Sequence, residues 1–206
     1  MWSPARSGFE QSRILAAGRG DYAGDLVGAP SGNGAAIAWI QGSNSTDPGL
    51  LSEPVWVARQ ATQTFTRAAR VFAGNAFGLS IAGADRMLAL TFTTTPRPGL
   101  DADSPGPVMV MRAATGQPFS APIDLDADAQ PDPAVSVTSN GQVLVTWNDT
   151  HALVAMANAN APFDSPITLG PQSQSDSPPT IDTIAGRSLI VWQSPSGTTR
   201  GDLAEP

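Results

Sequence analysis

The chain has 206 residues, 41% apolar and 14% charged, with a net charge of −7. That length supports one domain with a real core, and the low charge content excludes a charge-solvated disordered chain. The eleven basic residues are all arginine and scattered, so there is no basic stripe for a nucleic-acid backbone or an anionic membrane; without cysteine there is no disulfide, thiolate metal site or thiol nucleophile.

The elements fall into a repeat. An aromatic, five residues and an aliphatic recur at Phe9–Leu15, Phe65–Val71, Phe119–Leu125 and Phe163–Leu169. A period of roughly 50 residues points to stacked supersecondary units. One domain over residues 1–206 is expected, with repeats near 9–64, 65–118, 119–162 and 163–206.

Within each repeat the order is constant. The Phe segment reads FEQSRIL, FTRAARV, FSAPIDL or FDSPITL, and a polar loop such as AAGRGDYAGD follows. A short strand is expected next, at Leu26–Ala29, Gly78–Ala82, Ala134–Val137 and Thr180–Ile184. Tight turns built from SGNG, GADR, SNG or AGR then lead into AAIAW, LALTF, VLVTW and LIVW, closing on Trp39, Phe92, Trp147 and Trp192. Asn140-Gly141 predicts a type I′ hairpin turn, which needs φ > 0 at both central residues. A last strand follows: VWVAR at 55–59, VMVMR at 108–112 and LVAM at 153–156.

The alternation locates these strands. VLVTW and LIVW are apolar on both faces, which predicts burial between two sheets. In Phe119–Leu125 only one face is apolar, and Pro122 and Pro166 share an offset; proline is tolerated mainly at sheet edges, so the Phe strand is the outer edge. The fold class expected is all-β, a β-propeller or propeller segment of about four blades of four antiparallel strands. Phe9–Leu15 could close a four-bladed ring; the alternative is an open arc of a larger ring, whose exposed face would favour self-association.

The turn before each Phe resembles the Asp box of sialidase-like propellers, roughly S-x-D-x-G-x-T-W. RAATGQPF at 112–119 keeps Gly116 and the closing aromatic, ARQATQTF at 58–65 keeps Thr64 and Phe65, and MANANAPF at 156–163 has Asn158 where the Asp falls. No copy has the Asp. The whole unit is similar to repeats of bacterial secreted sialidase-like proteins of unassigned function. The resemblance implies an extracellular or cell-surface location, with any export signal outside this chain, since MWSPARSGFEQSR has no apolar signal core.

The resemblance carries over no catalytic residue. Sialidases need an arginine triad, a Tyr–Glu pair and an acidic Asp, whereas this chain has one Tyr and three Glu. Tyr22, in GRGDYAGD between Asp21 and Asp25, reads as an exposed or lip-packing side chain. His151, the one histidine, reads as a solvated residue of the turn WNDTHALV. In DLDADAQPD, Asp124, Asp126, Asp128 and Asp132 resemble the start of a calcium loop, whose alternate carboxylates converge on one hard cation. Ala129 and Val135 stand where such loops carry Gly and Glu, so a solvated acidic loop is the competing reading. Asp101 and Asp103 form a weaker version. The long connections Gln41–Pro54 and Thr93–Pro107 are loops of the kind on which binding function accumulates.

The functional expectation is a non-catalytic binding or scaffolding module, with carbohydrate or protein as partner, no nucleic acid and no membrane insertion. The alternatives are part of a glycoside hydrolase completed by residues outside this chain, and a purely structural or adhesive repeat.

Overall fold

The computed structural model describes residues 21–43, 53–61, 64–94, 106–130, 132–171, 178–184 and 187–204. Among these residues the structure is all-β, in four antiparallel sheets that follow one another along the chain. The first holds β1 (Asp21–Ser31), β2 (Gly34–Ser43) and β3 (Val55–Ala61), with an outer edge broken into β4 (Thr64–Phe65) and β5 (Ala69–Phe72). The second holds β6 (Ala76–Gly83), β7 (Met87–Thr94), β8 (Gly106–Ala114) and β9 (Ile123–Ala129). The third holds β10 (Ala134–Val137), β11 (Val143–Asn148), β12 (His151–Ala157) and β13 (Ile167–Pro171). The fourth holds β14 (Thr180–Ile184), β15 (Arg187–Gln193) and β16 (Thr199–Ala204). Phe9–Leu15, Asp101, Asp103, Gly186 and most of the two long connections lie outside the described residues.

The sheets stack face to face as blades. Their innermost strands β1, β6, β10 and β14 pack on one another in that order, and among the described residues no comparable packing links β14 back to β1. Ala38, Ile40, Val55 and Val57 of blade 1 meet Leu79, Leu90 and Phe92 of blade 2. Met87, Ala89, Val108 and Val110 of blade 2 meet Val135, Val143, Val145 and Trp147 of blade 3. Ala152 and Val154 of blade 3 meet Ile190 and Trp192 of blade 4. Alternate residues of β7 therefore serve two cores, which is why LALTF is apolar on both faces. Leu88, Leu90 and Phe92 are fully buried, and each such side chain contributes about 1.5–3 kcal/mol.

β11 is likewise buried throughout. β15 departs from the expectation: Ser188, Ile190 and Trp192 are buried, but Arg187 and Leu189 on the other face are exposed. Blade 4 ends the described row, so LIVW is covered on one side only.

The Phe segments hold the outer edge; Phe65 lies in it as expected, but the segments of blades 2 and 3 enter it late. β9 begins at Ile123 and β13 at Ile167, one residue after Pro122 and Pro166. Each proline therefore precedes the ladder, where its missing N–H costs nothing. Phe119 and Phe163 themselves lie in the turn before the strand. The sheets thus run out of phase with repeats cut at the Phe.

The Asn140-Gly141 turn also differs from expectation. Only Gly141 has positive φ, at 88°. Thr138 accepts from Gly141 N (2.9 Å) and donates its own N–H to Gln142 O (2.9 Å). This is a three-residue loop, a type I turn followed by a left-handed glycine. The Asn140 carboxamide holds it by accepting from Thr138 Oγ1 and from Gln142 N.

Innermost strands carry a recurring irregularity. The β1 register shifts between Gly24 and Val27, and the β6 register shifts between Phe77 and Ser80. Asp25 (φ 45°), Gly78 (φ 61°) and Asp132 (φ 67°) take a left-handed backbone one repeat apart. Asp25 Oδ2 accepts from the Gly78 and Leu79 N–H groups of the next blade, at 3.0 and 3.4 Å. Gly78 in turn lies so close to blade 3 that a Cβ there would sit 2.5 Å from Asp132 N.

Candidate binding site

Blade boundaries are built by arginines at the end of the third strand. In VWVAR, Val55 and Val57 face blade 2, and Arg59 is the next residue of the same parity. In VMVMR, Val108 and Val110 face blade 3, and Arg112 follows on that face. Alternation thus carries each guanidinium past the apolar core onto the outer turn of the following blade.

Arg59 Nη1 donates to Gln117 O at 2.5 Å, and the guanidinium stands 5.0 Å from the Phe119 ring centre. Arg112 donates to Asn158 O (3.2 Å), Ala159 O (3.3 Å) and Ala161 O (2.9 Å), and stands 4.9 Å from Phe163. Burial pushes both guanidiniums below the ordinary arginine pKa; the carbonyls and ring faces offset that lost hydration. The arginine backbones are anchored within their own blades. Arg59 N donates to Thr66 Oγ1 and its carbonyl accepts from Thr66 N, and Arg112 makes the same pair with Ser120. The recurring Phe is therefore the far half of an interblade clamp.

Beside the first clamp lies a cleft of about 560 Å³. Its walls come from blade 1 (Val57, Arg59 and the Thr66–Val71 edge) and from blade 2 (Met111 and the turn Gly116–Pro122). Arg59, Arg67 and Arg70 line it, and among the described residues no Asp or Glu does. Arg67 and Arg70 are exposed on the blade 1 edge. The cleft thus concentrates positive charge in a chain of net charge −7. Val57, Val71, Met111 and Phe119 give it an apolar floor.

The residues singled out in the sequence lie elsewhere. Asp124 pairs with Met109 and Asp126 with Val108, across a register shift. Neighbouring residues on β8 point to opposite faces, so these two carboxylates do as well. Asp126 Oδ2 accepts from the Trp147 indole N–H at 2.7 Å, which ties the blade 2 edge to blade 3. The Asp128 side chain is not among those described, and Asp132 is exposed. No group of three or more His, Asp or Glu converges for a metal among the described residues.

His151 is exposed, with Nδ1 2.9 Å from Thr150 Oγ1 and 3.7 Å from Asp149 Oδ1. That carboxylate also accepts the His151 and Thr150 N–H groups, a local turn lock. The backbone of Tyr22 belongs to β1, where a loop was expected. Sequence reasoning passed over Arg59, Arg67 and Arg70. The recurrence of Arg before the Phe turn in two repeats was the available signal.

Four-bladed stacking of up-and-down antiparallel sheets, innermost strands side by side, defines a β-propeller segment. Among solved structures the fold is shared with the six-bladed fucose-recognising lectin of Aleuria aurantia, at 11% identity and a TM-score of 0.56. A mutant of that lectin complexed with α-methyl-L-fucoside gives the same values, over 86% of this chain and 56% of the lectin. The chain thus spans little more than half of those lectins' length. A xylotriose-complexed GH43_1 enzyme from Xanthomonas citri also matches, at a TM-score of 0.49 and 12% identity. No family model matches the sequence, and no curated protein matches it.

Proposed function

We propose that this chain is a non-catalytic binding module that holds a saccharide in the cleft between blades 1 and 2. The observation that carries this reading is the cleft, a rigid concavity where two blades meet, with an apolar floor and arginine donors on its walls. Such a mixture suits a sugar, whose ring faces are apolar and whose rim is polar. The propeller lectins lend fold-level support only. Glycoside hydrolysis needs paired carboxylates about 5–10 Å apart, and among the described residues the cleft lining supplies none, which favours binding over cleavage at this place. An exported or cell-surface setting and descent from sialidase-like repeats belong to the same proposal.

A glycan array probed with the whole chain, with a parallel assay for released reducing ends, tests it. The expected result is retention of one glycan class without release of product. Turnover would move the protein to the hydrolase reading, and an empty array would leave the structural-repeat reading.

A further inference from the structure

We infer that the cleft selects an anionic saccharide, one bearing carboxylate or sulfate groups; this rests on the saccharide-binding reading above. Three of the chain's eleven arginines line it, and among the described residues the lining holds no Asp or Glu. Among the described residues no carboxylate forms an ion pair with any of the three.

The three have different tasks. Arg59 is committed to Gln117 O and to the Phe119 ring. Its charge is fixed in place and partly shielded from water. Arg67 and Arg70 belong to the exposed blade 1 edge that lines the cleft, three residues apart. A guanidinium fork matches the two oxygens of a carboxylate or sulfate, and such pairs are stronger than neutral hydrogen bonds. A neutral saccharide covering Arg67 or Arg70 would desolvate a positive charge without supplying an opposite one, which costs affinity. The surrounding acidic chain sharpens the contrast, because anions are repelled elsewhere and attracted here.

The test is calorimetric titration of the whole chain with three probes of similar length: an oligogalacturonate, a sulfated galactan oligosaccharide and a neutral xylo-oligosaccharide. An anionic probe is expected to bind at least about tenfold more tightly than the neutral one, and to weaken as salt rises. The double variant R67A/R70A should lose at least about tenfold for each fork the ligand engages. R86A, which removes an arginine outside the cleft, should leave binding unchanged. The uronate and sulfate arms tell which anionic group is preferred.

Neutral binding as tight as anionic binding, unaffected by R67A/R70A, would overturn the anionic inference and leave the saccharide-binding reading standing. No binding by any probe would overturn both. Loss of anionic binding in R86A equal to that in R67A/R70A would show a diffuse charge effect and overturn the assignment to the cleft.

Discussion

Replacing Arg112 by alanine probes the interblade clamp most severely. The change removes three donated bonds, to Asn158 O, Ala159 O and Ala161 O, and the cation over the Phe163 ring. A hydrogen bond involving a charged group is worth about 1.5–3 kcal/mol net, and a cation–π contact about 0.5–2 kcal/mol. The full sum does not apply. Arg112 is only half-buried, so water re-solvates part of the turn, and bonds from one side chain are not additive. A loss of about 2–4 kcal/mol is expected, or roughly 5–15 °C in Tm for a chain of this size. Arg59 makes one such bond and one ring contact, so R59A should cost about half as much. R112K, which keeps the charge but not the fork, should fall between R112A and the parent. Urea unfolding monitored by tryptophan fluorescence measures all three. An R112A midpoint within about 0.5 kcal/mol of the parent, the range of ordinary surface substitutions, would refute the clamp.

Other outcomes follow from the blade contacts. In Gly83→Ala a Cβ would stand 2.0 Å from Pro30 O of the neighbouring blade; a backbone atom cannot yield cheaply, so a loss of at least about 2 kcal/mol in the same assay is expected. Asp25→Asn keeps an acceptor for the Gly78 and Leu79 N–H groups and should be nearly neutral. Asp25→Ala should cost about 1–3 kcal/mol, because it strands those donors and places alanine at φ 45°. Asp126→Ala removes the acceptor of the Trp147 indole and should lower Tm equally in EDTA and in excess calcium. A loss confined to calcium would instead assign the Asp124–Asp132 stretch a metal.

Strand order was legible because alternation and recurrence are local properties. Ala134–Val137 and Thr180–Ile184 were read with the bounds they have, since turn residues bracket each of them. The double-faced burial of VLVTW could be read from its composition; the exposure of Leu189 in LIVW and of Arg187 before it could not, because it depends on what packs against each face of the blade. In blades 2 and 3 the Phe strand starts one turn later than parity implies. Phe119 and Phe163 look like strand residues by parity, but each is held by an arginine 60 or 51 positions earlier in the chain (Arg59 and Arg112), and no local pattern reveals that. The left-handed bulges hid for a chemical reason: Asp25, Gly78 and Asp132 do the same backbone work with unlike side chains. Alternation alone would put Asp124 and Asp126 on one face, but a register shift between β8 and β9 separates them. The cleft was illegible because its two walls come from different blades.

The most direct test of the account is where a bound saccharide sits. Amide shift mapping by ¹⁵N NMR during titration with an oligosaccharide that the chain retains should perturb Thr66–Val71 and Gly116–Ser120 first, with Arg59 among the strongest. Perturbation centred on any other surface, leaving those amides unmoved at saturation, would contradict it.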